Sequence, residues 1–187
     1  MNYKKEDQRV VLTKKMLRNA LIELLKEKDI HKITVRELCD VADINRSTFY
    51  KHYENQFALL AEMEEELVEV IYTNINYLST HDQANNYKVL SVILEYLQEN
   101  REFSRLLVNN NVDPEFPLML LESSFIRNYI EHIIPLNSSD DYYNYLIEFI
   151  IYGYYRVIQN WLNKENPESV KSIAKMLTNF TGMVGKI

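Results

Sequence analysis

Arg46, Ser47, Thr48, Tyr50, Lys51 and His52 crowd one side of a short stretch that holds almost no acid. Side chains of these types donate hydrogen bonds and carry positive charge, which is the chemistry that grips a polyanion. Bond-breaking chemistry finds little support. Cys39 stands alone, so neither an intramolecular disulfide nor a cysteine-clustered metal site can form. His31, His52, His81 and His132 are scattered without metal-ligand spacing, and the three glycines make no phosphate-cradling run. Glu62, Glu64, Glu65, Glu66 and Glu69 read as a solvated helix face rather than a general acid/base pair. No enzyme, metal or cofactor is expected.

Capped helices and tight turns position the cationic stretch. Ile33-Thr34-Val35-Arg36-Glu37-Leu38 is a capping box with a hydrophobic staple: Thr34 caps, Glu37 reaches back, and Ile33 meets Leu38. This short helix ends near Ala42. Asp43 then accepts a left-handed turn conformation, and Asn45 caps a third helix from Arg46 to roughly His52. Phe49 and Tyr53, four residues apart, face the core. A first helix precedes them, with Thr13 as its cap, Leu12 and Leu17 as its staple pair, and Leu17, Ala20, Leu21, Leu24 and Leu25 as its apolar stripe. Asn55 caps a fourth, long helix reaching about Leu78. Two short helices joined by a tight turn, the second poor in acid and rich in Arg, Ser, Thr, Tyr and Lys, describe a helix-turn-helix reader of DNA.

The whole chain agrees with such a head on a larger body. It has 187 residues, 47% of them hydrophobic and 26% charged, enough to bury a core without staples. Three glycines and four prolines are too few punctuators for a sheet protein, so the fold class is all-α. The net charge of −6 is uneven: residues 1–56 carry +3 and residues 57–187 carry −9. The expected division is a head over 1–56, linked by the helix from about residue 55 to a body over 57–187 of about six helices. Helical patterns there run at about 87–100, 102–109, 115–134, 140–163 and 168–182, with Pro114, Pro135 and Pro167 at the breaks. The N-terminus lacks an apolar signal core, and the apolar run 142–158 is broken by Glu148, Gly153 and Arg156. A cytoplasmic chain without a membrane span is expected.

The body's aromatic residues suggest two uses. Tyr96, Phe125, Tyr129, Tyr145, Phe149 and Tyr152 are candidates to line an apolar ligand pocket. The helix over 140–163 is apolar around nearly its whole circumference and so needs cover on every side. A second copy of the chain is the expected cover, with Tyr154, Val157, Trp161, Ile173, Leu177 and Phe180 as candidate interface residues. Gly153 mid-helix marks a place where another backbone comes close. Cys39 is expected to fill a small core position.

The run from Ile33 to Leu38, the turn Ala42-Asp43-Ile44, the segment Asn45-Arg46-Ser47-Thr48-Phe49-Tyr50-Lys51-His52-Tyr53 and the following Phe57-Ala58-Leu59-Leu60 resemble the TetR family of bacterial regulators, particularly a branch from low-GC Gram-positive bacteria. The resemblance covers about residues 10–65. It implies an all-α homodimer with a DNA-binding head and a ligand-sensing body, which binds a near-palindromic double-stranded operator and is released by a small-molecule effector. Carried over residue by residue, Thr34 would touch phosphate through its hydroxyl or amide. Asn45, Arg46, Ser47 and Thr48 would reach base edges, Arg46 pairing with guanine and Asn45 with adenine. Tyr50, Lys51 and His52 would hold the phosphate backbone. Three positions depart from the family pattern: Asp43 stands where glycine is usual, and Glu54 and Gln56 stand where lysines are common. The alternatives are a regulator or activator whose body binds a protein, and an adaptor dimer whose head has lost DNA.

Overall fold

The computed structural model describes residues 8–77, 83–109, 112–133 and 141–184. His81 and Pro135 lie outside the described residues. Among the described residues the regular structure is helical, with no strand. Contacts divide the chain into two compact units, Met1–Glu66 and Leu67–Ile187.

The first unit contains α1 (Gln8–Glu27), a single 3-10 turn (Ile30–Lys32), α2 (Val35–Ala42), α3 (Arg46–Phe49) and the beginning of α4 (Gln56–Tyr77). Its core is carbon: Leu17, Leu21, Ile33, Leu38, Phe49 and Leu59 are completely enclosed. Helix α1 begins at Gln8 rather than after Thr13, and Val11 and Leu12 are exposed. The proposed cap and staple there are therefore ordinary helix interior, because nothing in residues 8–12 interrupts winding. Cys39 is buried in α2, as its size suggested, and burial pushes its thiol up, away from reactivity.

The acidic run on α4 does more than face solvent. Glu62 takes hydrogen bonds from Lys14 Nζ at 3.1 Å, Arg18 Nη2 at 2.8 Å and the Tyr53 hydroxyl at 2.8 Å. Glu66 takes Arg18 Nη1 at 2.7 Å. These bonds tie α1 and Tyr53 to α4, and the first compact unit runs on to Glu66. Burial presses the Glu62 carboxyl upward. The bonds from Arg18, Tyr53 and Lys14 outweigh it and hold the group below its usual value of 4.5. A depressed folded-state pKa stabilises above the unfolded value and is lost as pH falls through the folded one. Thermal melts taken from pH 7 to 3.5 should show the head losing stability below about 4.5. Glu62→Gln should cost about 2 kcal/mol at pH 7 and flatten that decline. Parallel curves for the two proteins would remove Glu62 from the explanation.

The second unit comprises the rest of α4 with α5 (Gln83–Glu99), α6 (Arg101–Val108), α7 (Phe116–Leu121), α8 (Ser124–Ile133), α9 (Asp141–Asn163) and α10 (Val170–Val184). The single helix expected over 115–134 is two, broken at Glu122–Ser123, where Ser123 turns its hydroxyl back to the Leu120 carbonyl at 2.6 Å. Arg101 caps the end of α9 by donating to the Leu162 carbonyl at 2.8 Å and to that of Lys164. The Trp161 indole N–H donates to the Glu168 carbonyl at 2.8 Å. Helix α10 packs on α5, and α8 on α9 through Ile130, Ile147, Ile150 and Ile151.

Candidate nucleic-acid interface and body cavity

The turn between α2 and α3 is built as its sequence required. Thr34 Oγ1 accepts the Glu37 amide at 3.2 Å, and Glu37 Oε2 accepts the Thr34 amide at 3.2 Å. Asp43 takes φ 52° and ψ 44°, left-handed, and the Ile44 amide closes the turn on the Cys39 carbonyl at 3.0 Å. Asparagine and aspartate enter that region more readily than other side-chain-bearing residues. Helix α3 proper is one turn. Bonds from Lys51 N to Thr48 O, His52 N to Phe49 O and Tyr53 N to Phe49 O carry the winding on to Tyr53.

Phe49 and Tyr53 anchor this segment from below, their ring centroids 5.7 Å apart. Asn45, Arg46, Ser47, Tyr50 and Lys51 are exposed, and Thr48 and His52 half-buried. Asn45 makes no side-chain cap bond, so its amide is not spent on the helix. Six of the eight sequence-predicted contact residues thus lie within one short coil from Arg46 to His52, with Asn45 just before it. Thr34 is different. Its hydroxyl and its amide both donate to Glu37 Oε2 at 3.2 Å. Lys28 fixes Glu37 in turn at 2.7 Å and, with the Thr34 bonds, keeps that carboxyl below its usual value. Thr34 therefore has no donor to give a phosphate while the box is closed; the orphan first-turn amides of Val35 and Arg36 are the groups at that helix end suited to an anion.

In the body, an apolar cavity of about 140 Å3 is lined by residues such as Leu67, Ile71, Leu90, Leu107, Phe116 and Ile151. Tyr129, Tyr154 and Tyr155 also reach it. A larger cleft of about 400 Å3 adjoins, lined in part by Tyr72, Asn76, Phe125 and Tyr129. Of the six aromatic residues predicted for a pocket, Tyr129 lines both spaces and Phe125 the cleft. Tyr96 is half-buried and lines neither. Tyr145, Phe149 and Tyr152 are 69, 72 and 43% exposed on the outer side of α9, and the pocket expectation for them is corrected. The inward stripe is Ile151, Tyr154, Tyr155 and Ile158 instead, at helical spacing. Glu148 and Arg156, exposed beside the outer stripe, were the available signal.

The interface candidates divide similarly. Trp161, Ile173 and Leu177 are buried within this chain, and Tyr154 lines the cavity, so these four present no free surface to a second copy. Their stripe found intrachain partners, Trp161 on Glu168 and Tyr154 on Leu177 and Thr181. Val157 is half-buried, while Phe180 is 45% exposed, with Met183 exposed one turn on. A Cβ on Gly153 would meet nothing within 4 Å, so no backbone of this chain crosses there.

The model for bacterial regulatory proteins of the tetR family matches residues 17–63, and that for a transcriptional regulator C-terminal region matches residues 84–182. The chain is 25% identical over 169 residues to the HTH-type transcriptional regulator YxbF of Bacillus subtilis, a match covering 85% of this chain and 42% of that protein. It is 31% identical over 94 residues to the dhaKLM operon transcriptional activator DhaS of Lactococcus lactis, covering 50% and 47%. The matches thus span less than half the length of these two relatives. Among solved structures, a dihydroxyacetone kinase operon activator DhaS superposes with a TM-score of 0.63 at 22% identity, over 94% of this chain and 97% of the other. A TetR transcriptional regulator from Streptococcus agalactiae superposes at 0.58 and 26% identity over the same shares.

Proposed function

Because the chain belongs to the TetR family of bacterial regulatory proteins, we propose that it acts as a homodimeric, sequence-specific transcriptional regulator released from its operator by a small molecule held in the body. The observation that carries this reading is the anchored coil: Phe49 and Tyr53 are buried beneath it, while Arg46, Ser47, Tyr50 and Lys51 stand clear. That coil enters a major groove with Asn45, Arg46, Ser47 and Thr48 at base edges and Tyr50, Lys51 and His52 on phosphates. Two heads meet half-sites about 34–36 Å apart on a near-palindrome. The effector presses on Leu67, Ile71 and Ile75 of α4, the helix whose earlier turns hold the head together. Such a ligand acts only through different affinities for the two dimer geometries. No described helix is long and apolar enough to cross a membrane, and the site of action is the cytoplasm, where the DNA lies.

The dimer forms through the outer side of α9, where Tyr145, Phe149 and Tyr152 recur at helical spacing, together with Phe180 and Met183 of α10. A relative named as a transcriptional activator favours a second reading, in which the bound dimer recruits rather than blocks transcription.

DNA fragments selected by the purified protein should yield a near-palindrome bound with a steep salt dependence. Arg46→Ala should cost about 1–3 kcal/mol and relax preference at one base position. Lys51→Ala should weaken all sequences alike and reduce the salt slope by about 1. Unchanged affinity and preference in Arg46→Ala would mean that this coil is not the reader.

A further inference from the structure

The two spaces in the body differ in chemistry and share a wall. Ile75 and Tyr129 line both the 140 Å3 cavity and the 400 Å3 cleft. Apart from Ser104, the cavity's polar groups are phenols, and each is committed elsewhere. Tyr129 donates to Asn86 Oδ1, Tyr155 to the Val108 carbonyl at 2.7 Å, and Tyr154 to the Leu177 carbonyl at 2.7 Å with Thr181 beside it. Burial pushes all three upward, so they remain neutral and keep those bonds. A ligand here meets ring faces and aliphatic carbon. A carboxylate, phosphate or ammonium would be stripped of water with nothing to replace it.

The cleft offers the opposite. Asn76 and Asn128 bring amides, Ser124 a hydroxyl and His132 an imidazole, and its described lining includes no Lys, Arg, Asp or Glu. Such donors and acceptors suit a carbonyl, amide or hydroxyl, and no lysine, arginine or carboxylate of the described lining supplies a fixed counter-charge to an ion.

The geometry points to a neutral amphiphile as the ligand of the body, its hydrocarbon part in the cavity and its hydrogen-bonding end in the cleft beyond Ile75 and Tyr129. A dry apolar cavity of about 150 Å3 accepts benzene, so the hydrocarbon part has about six carbons. This assignment rests on the reading of the body as an effector sensor and specifies the effector's class.

Calorimetric titration of the full chain with hexanamide, hexanoate and hexyltrimethylammonium separates the classes. Hexanamide should bind at least tenfold more tightly than either ion, and the series from butanamide to hexanamide should gain about fourfold per methylene. Leu90→Trp, which fills the cavity, should weaken hexanamide more than tenfold. The exposed Asn128→Ala, which leaves the core intact, should weaken hexanamide severalfold and leave toluene binding unchanged. Equal or tighter binding of either ion, no gain with chain length, or an Asn128→Ala protein that binds hexanamide like wild type would each overturn the assignment. Operator release is read separately. Hexanamide that binds as described without freeing DNA upholds the ligand class and removes the sensor reading. An ion that frees DNA where hexanamide does not bind upholds the sensor reading and removes the ligand class.

Discussion

Phe49→Ala is expected to abolish operator binding by unfolding the head while the body keeps its helices and its ligand. Phe49 is 0% exposed and sits under the exposed residues of the 46–52 coil, with the Tyr50 ring edge-on at 5.6 Å and Tyr53 at 5.7 Å. Truncating a buried phenylalanine costs about 3–5 kcal/mol, the transfer of the ring plus the cavity left behind. The head of 66 residues has little stability to spare, since a small domain buries a small share of its surface. The loss should be confined to it, because Phe49 makes its contacts there. Circular dichroism melts should show an early transition missing or moved far down, with the remaining helices melting as before. Tyr50→Ala is the contrast: that ring is exposed, so stability should stay within about 0.5 kcal/mol while DNA affinity falls. A Phe49→Ala protein that binds operator like wild type would show that the coil does not depend on its anchor.

Phe149→Glu should convert the proposed dimer to a monomer without harming the fold. The side chain is 72% exposed in the single chain, so a carboxylate there costs the monomer almost nothing. Across a two-fold axis the same position would place two desolvated charges in an aromatic seam. Three rings per copy supply much of a standard interface of about 1,600 Å2. Losing the second head removes the gain from simultaneous engagement, and operator affinity should drop about 10²–10⁴-fold. Sedimentation gives the mass and a gel shift the affinity. A dimeric Phe149→Glu protein with full operator affinity would place the seam elsewhere. Leu177→Glu could not serve, because Leu177 is enclosed in its own chain and the substitution would unfold it.

What was legible in the chain follows from the range of the interactions. The capping box at Thr34–Glu37 and the Asn55 cap, whose Oδ1 receives the Ala58 amide at 3.0 Å, are contacts over three residues, and the left-handed Asp43 closes its turn over five, all written in local sequence. The start of α1 was misread because Thr13 is an adequate cap wherever a helix begins, and nothing upstream required it to begin there. The ion pairs from Arg18 to Glu62 and Glu66 cross 44 and 48 positions of sequence, so a row of glutamates looked merely wet. In α9 the sequence reads as apolar around nearly its whole circumference, and periodicity could not say which residues face inward. Tyr145, Phe149 and Tyr152 went to the outside, and Ile151, Tyr154 and Tyr155 to the cavity, because the shape of the other helices decides that choice. The break at Glu122–Ser123 had neither glycine nor proline to announce it.

Helix α4 runs unbroken through the division at Glu66–Leu67. Its first turns belong to the first unit, and its later ones carry Leu67, Ile71 and Ile75 of the cavity wall. Each residue inserted between Ile71 and Ile75 turns all that follows in the helix by about 100° and advances it by about 1.5 Å. Two turns restore the phase to within about 20°. An insertion there therefore keeps Ile75 on the cavity's side of the helix only in steps of about seven residues.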